Sequence, residues 1–177
     1  MMEDLMLHGL IGKNVVHGLQ TYTIPGTYNF TVPNGVKQLS AIGVAGGGGG
    51  SGYAGGGGGG SLITTIDVTP GQIIPIIVGT GGNGTQTSSA NDGGNTTVSS
   101  YTCYGGKAPT GNPGGSGGVG YGYGGNGNKG DKADGINASY GGVGGTGENG
   151  YGKGGNGGQN GGYVGGNGQN GRVIIIW

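Results

Sequence analysis

From Thr21 onward the apolar positions come in short bursts separated by turn residues: TYTI, Pro25-Gly26, TYNFTV, then Pro33-Asn34-Gly35. This spacing predicts strand, turn, strand, turn, because Gly and Asn supply the backbone angles that tight turns require. Lys37 to Ala45 (KQLSAIGVA) predicts another strand, with Leu39, Ile42 and Val44 available for a core. SLITTIDV (61–68) and QIIPIIV (72–78) predict two more. Their joint, Thr69-Pro70-Gly71, has the form of a type II turn with Gly71 at the position of positive φ. Pro75 lacks an amide donor, which directs its strand to a sheet edge or a bulge. Thr96 to Tyr104 is a sixth candidate, and RVIIIW (172–177) closes the chain with its most strand-prone run. Such a hydrophobic end must insert among the earlier strands, so the core draws on residues 21–104 and 172–177.

The stretch between, residues 105–171, holds 31 glycines but only Val119, Ile136, Val143 and Val164 among its larger aliphatic side chains. No conventional core can be built from it. Glycine nevertheless recurs every third residue: at Gly111, Gly114, Gly117 and Gly120; at Gly124, Gly127 and Gly130; at Gly141, Gly144, Gly147 and Gly150; and at Gly162, Gly165, Gly168 and Gly171. An extended helix with three residues per turn would gather each run into a bare ridge. Bare ridges let backbones approach closely enough to bond laterally. Collagen shares the period but needs one unbroken register and abundant proline; here the register slips and only Pro109 and Pro113 occur. Ordering a residue costs about 1–2 kcal/mol and a hydrogen bond returns about 0.5–1.5 kcal/mol. The array therefore needs anchored ends, which the flanking strands provide, and ordered polyglycine II helices are expected over disorder.

Composition narrows the function. The chain has 177 residues, 56 of them glycine, with seven cationic and seven anionic side chains. That gives no basic footprint for nucleic acid, and the shortage of chemically active side chains argues against an enzyme. Residues 1–20 stand apart, with Leu5, Leu10, Ile11, Val15, Val16 and Leu19 in no clean period. Glu3 and Asp4 stand where a secretory signal would carry cations, and glycines interrupt the apolar stretch, so no signal peptide is expected. The apolar runs at 73–78 and 173–177 are too short to span a bilayer. The single cysteine, Cys103, excludes an intramolecular disulfide framework and reads as a small core residue.

Candidate chemistry is sparse. GxGxxG matches within 46–60 precede a strand instead of opening a helix, so they fail as a dinucleotide fingerprint. Lys13, Lys107 and Lys153 lack the following Ser or Thr of a phosphate loop. His8 and His17 read as surface or packing residues, and Asp131 and Asp134 as a solvated turn without calcium-loop spacing. Asn29, Asn83, Asn95 and Asn137 match the glycosylation pattern only through composition. No metal and no cofactor is expected. Tyrosine is more informative: Tyr121, Tyr123, Tyr140, Tyr151 and Tyr163 fall in the glycine stretch among Asn and Gln. Such rings suit recognition surfaces, and they equally suit a cover for the glycine bundle.

The succession TYTIPGTYNFTVPNGVKQLSAIGVAGGGGGSG, GGGGGGSLITTIDVTPGQIIPIIVGTGGNG and NGRVIIIW resembles the glycine-rich domain of tailed-bacteriophage tail-fibre and adhesin proteins over about residues 20–177. The resemblance implies an all-β fold: a small β-sandwich-like core with long glycine-rich loops and polyglycine II helices. Residues 1–20 fall outside the resemblance and read, from their own apolar side chains, as an attachment segment ahead of a glycine-rich β-domain, 21–177, with little or no helix beyond residue 20. The resemblance also implies a non-enzymatic virion protein of the tail fibre or baseplate, made in the host cytoplasm and active in host receptor recognition. Expected partners are other tail or baseplate proteins through 1–20, a host surface glycan or outer-membrane protein, and copies of itself in a homo-oligomer or symmetric assembly. Candidate receptor-binding residues are Tyr121, Tyr123, Tyr140, Tyr151 and Tyr163, with Asn126 and Asn149 beside them. A purely structural decoration protein and an ice-binding protein are the alternatives, the latter weakened by the mixed non-glycine positions.

Overall fold

The computed structural model describes residues 17–52, 54–86, 89–110, 114–122, 151–155 and 164–177. Nine strands follow in order: β1 (Leu19–Tyr22), β2 (Gly26–Thr31), β3 (Gln38–Val44), β4 (Ser61–Asp67), β5 (Ile73–Val78), β6 (Thr96–Val98), β7 (Tyr101–Cys103), β8 (Tyr121–Gly122) and β9 (Arg172–Ile176). No described residue is helical. One sheet has the order β1-β9-β3-β4-β8 and the other β2-β5-β6-β7. All pairings are antiparallel except that of the two-residue β8 with β4. The fold is all-β, as expected.

Period-two alternation sends one set of side chains from each strand into the space between the sheets. In β5, Ile74, Ile76 and Val78 are buried while Ile73, Pro75 and Ile77 face out. Leu39, Leu62, Val98, Val173 and Ile175 complete the fully buried layer. Each such side chain contributes about 1.5–3 kcal/mol by leaving water. The closing strand β9 lies between β1 and β3, with Ile174 opposite both Thr21 and Ile42. Trp177 then packs its ring against Phe30, centroids 5.0 Å apart.

The turns follow their residues. Gly71 adopts φ 79° and Gln72 N–H donates to Thr69 C=O at 3.0 Å. Gly35, at φ 86°, closes the turn in which Val36 N–H donates to Pro33 C=O. Two expectations need correction. The stretch 96–104 is not one strand: it folds back at Ser99-Ser100, Ser99 taking φ 56°, so Thr96 lies opposite Cys103. Pro75 sits in an inner strand, not at an edge or bulge. Its carbonyl accepts from Ser99 N–H at 2.8 Å, just past the end of the β5–β6 ladder, so no ladder bond needs the missing donor.

Candidate functional site

The chain leaves the sandwich repeatedly in extended glycine-rich rods: A (45–51), B (54–60), C (79–85), D (89–95), E (104–108), F (114–120), G (151–155) and H (164–171). Rod A shows how they associate. Ala45, Gly48 and Ser51 donate their N–H groups to Gly60, Gly57 and Ala54 of rod B. Gly46 and Gly49 donate to Gly94 and Asn91 of rod D, and Gly47 and Gly50 to Gln169 and Gly166 of rod H. Every third residue thus turns to the same neighbour, the signature of a helix with three residues per turn. Rod A in turn accepts at Gly47 and Gly50 from rod C, at Gly46 from rod E and at Gly48 from rod G.

The surrounding rods are bonded to one another in a closed ring, B to E to D to C to H to G and back to B. The lattice is hexagonal, with rod A at its centre. The registers also fix direction. Rods B, D and H run against rod A and rods C, E and G run with it, so direction alternates around the ring. Rod F lies outside, bonded to B and E.

Close approach explains the glycine. A Cβ at Gly47 would be driven into the Lys153 carbonyl of rod G, and one at Gly48 into that of Lys107 in rod E. All sides of the central rod are covered, so Gly46 to Gly50 are uninterrupted. Rod H is covered on one side: Gly165, Gly168 and Gly171 face carbonyls of Gly50, Gly47 and Val44. Its Val164, Asn167 and Asn170 are exposed.

Thr96 joins lattice to sandwich. Fully buried, its Oγ1 accepts from Gly79 N–H at 3.0 Å and donates to Val44 C=O at 2.9 Å. At the opposite end the rods terminate together. The registers place the ends at 51/54, 85/89, 108/114 and 155/164 on the side away from the sandwich. Four chain links therefore depart from one outer tip.

The candidate tyrosines are distributed, not gathered. Tyr121 lies in β8 beside Leu62 of β4, 41% exposed, its ring 5.0 Å from that of Tyr101. Tyr151 lies at the sandwich end of rod G, with the Arg172 guanidinium 4.9 Å from its ring centroid. Tyr123, Asn126, Tyr140, Asn149 and Tyr163 lie outside the described residues. Beside rod E the sequence reading missed a shallow groove of about 410 Å³, lined by Asn95, Tyr104, Lys107, Ser116 and Val119 among others. Tyr104 and Val119 are exposed within it. Their spacing from Lys107 and Ser116 is again three residues, but single non-glycine residues in a glycine background carried no distinguishing signal.

Burial and hydrogen bonding displace individual titratable groups. Burial pushes the Cys103 thiol up to about 12, against weaker opposition from backbone hydrogen bonds. Burial would raise Asp92 too, but the Lys107 ammonium at 2.7 Å and the Ala108 N–H outweigh it and hold the carboxyl below its ordinary value. Among the described residues no group of three or more His, Cys, Asp or Glu side chains is placed to hold a metal ion.

The sequence profile of the glycine-rich domain family matches residues 22–145, from the first strands through much of the lattice sequence. The chain belongs to the glycine-rich domain family. No curated protein sequence matches it. In this glycine-rich domain the family pattern has a physical content: strands supply the anchored ends, and the glycines between them build the lattice.

Proposed function

We propose that this glycine-rich domain is a non-enzymatic virion protein of a tailed-phage tail fibre or baseplate that presents recognition links to a host surface. The gathering of four links at one lattice tip carries this reading. Recognition residues commonly sit on loops held by a rigid scaffold, and a lattice bonded in three directions can hold such loops far from the sandwich. The preferred receptor is a surface glycan or an outer-membrane protein, met by tyrosine rings with their flat apolar faces and polar tips. Of the attachment segment expected at residues 1–20, Leu19 and Gln20 pair with Ile176 and Ile175 in the sheet. The residues ahead of them would attach the domain to neighbouring tail or baseplate proteins, or to symmetry-related copies.

The test is adsorption of labelled full-length protein to host cells. Saturable binding that competes with intact virions is expected. Absence of such binding would favour a decoration protein with a purely structural role. Alanine variants then locate the contact. Tyr163 belongs to a link of the tip, whereas Tyr121 and Tyr151 lie at the sandwich end with Tyr123 and Tyr140 between them in the chain. Loss at Tyr163 therefore supports a tip contact, and a stacking anchor should cost about 1 kcal/mol or more. If all five fold and adsorb as the parent does, these rings are covering groups.

A further inference from the structure

Two outer edges of the lattice are closed by side chains in the same way. In rod C, the N–H groups of Gly82 and Thr85 point inward and donate to rod A, while those of Gly81 and Gly84 are directed elsewhere. Gly81 N–H donates to Asn170 Oδ1 at 2.9 Å, and Gly84 N–H to Asn167 Oδ1 at 2.8 Å. In rod E, Tyr104 and Lys107 donate to rod F and Gly106 to rod A. The remaining direction belongs to Gly105 and Ala108, whose N–H groups donate to Asn95 Oδ1 at 3.0 Å and Asp92 Oδ1 at 2.8 Å.

Donors and acceptors are each three residues apart, one full turn, or about 9 Å along a rod. In both cases the acceptors come from an adjoining antiparallel rod, their numbers falling as the donor numbers rise. The recurrence on separate edges, formed by different rods, argues against coincidence. It also gives a reason for Asn at non-glycine positions: the side chain places an amide oxygen where the carbonyl of another rod would lie.

An outward row of N–H groups at one-turn spacing is a template for another extended chain, as an open strand edge is for another strand. Every copy of this protein carries matching strands in its 56 glycines, and the formal charge of zero provides no net repulsion between copies. We propose that Asn167 and Asn170 on one edge, and Asp92 and Asn95 on the other, stop the lattice from adding a glycine-rich strand of a second copy. They limit its width.

The test uses the full chain carrying N167G and N170G together, which removes the caps and leaves glycine in their places. At a dilution that keeps the chain monomeric, hydrogen exchange at Gly81 and Gly84 should quicken about tenfold, the equivalent of one hydrogen bond. Light scattering should show a mass that rises with concentration above the parent's. N167D/N170D keeps an acceptor oxygen and should retain slow exchange at both amides. Should the double glycine variant lose its β-spectrum, the single variants are judged by the same two measurements, N167G at Gly84 and N170G at Gly81. Parent-like exchange in the dilute, monomeric sample would overturn the proposal, and so would faster exchange with a parent-like mass at every concentration.

Discussion

Thr96 hands a hydrogen bond from its hydroxyl to the carbonyl of Val44, 52 positions earlier, while accepting one from the Gly79 N–H. A single buried oxygen thereby ties the departures of rods A and C to strand β6. Thr96→Val keeps the shape but removes the acceptor of the buried Gly79 N–H and one donor to Val44 C=O. An unsatisfied buried group costs about 1–3 kcal/mol, so the midpoint of chemical denaturation should fall accordingly. Thr96→Ser should recover most of it.

Gly48 tests the lattice itself. Its absent Cβ is the space taken by the Lys107 carbonyl, and the neighbouring backbone is held from several sides. Gly48→Ala should destabilise by about 1–3 kcal/mol or more, the usual cost of overpacking. Ser116→Ala, at an exposed position of rod F, should change stability little. Thermal melts of the two variants make the comparison.

Strands and turns were legible in the sequence because their signals are local. Gly71 announces its turn within four residues, and the alternation in QIIPIIV marks the buried face of β5. The ridge Gly165, Gly168 and Gly171 was legible too, and it faces the central rod. The centre itself was not. An uninterrupted glycine run has no phase, so Gly46 to Gly50 reads as part of chance motif matches, although in rod A the lack of interruption is the mark of a rod covered all round. In rod F the residues facing rod E are Gly115 and Gly118, not the Gly114 and Gly117 of the periodic run. The caps were invisible because Gly81 and Asn170 meet only through rods whose neighbours no local pattern specifies.

Ser99 occupies the left-handed region at φ 56° in the two-residue turn between β6 and β7. A non-glycine residue there carries a penalty of about 1–2 kcal/mol, partly offset by glycine's greater freedom in the unfolded chain. Ser99→Gly should therefore stabilise the domain by up to about 1 kcal/mol. A higher denaturation midpoint with an unchanged slope is the expected result.

Asp92 gives a pH dependence of defined sign. Its carboxyl is held below the ordinary value in the folded state. The stabilisation it provides is therefore present above the unfolded pKa, about 4, and is lost as pH falls through the folded value. Because the Lys107–Asp92 pair is substantially exposed, screening keeps the contribution under about 1 kcal/mol. The stability difference between parent and Asp92→Asn should be present at neutral pH and shrink on acidification. A gap that widens toward acid would contradict this.

Cys103 should be inert in the native protein. Its sulfur is buried and donates to Thr96 C=O at 3.6 Å, and burial pushes its thiol up to about 12. Thiolate reagents at pH 8 should modify it only as fast as the domain opens. Denaturant should restore ordinary reactivity.

Rod geometry also imposes arithmetic on insertions and deletions. A rod returns to the same orientation every three residues, so one extra residue inside rod H would turn Gly168 away from the Gly47 carbonyl and bring a side-chain-bearing position toward it. Three extra residues at the same place would leave the positions on both sides of the insertion in phase. Permitted length changes within the rods therefore come in whole triplets, each extending the tip by about 9 Å. The reach of this domain can grow in steps while its sandwich and its inner contacts stay the same.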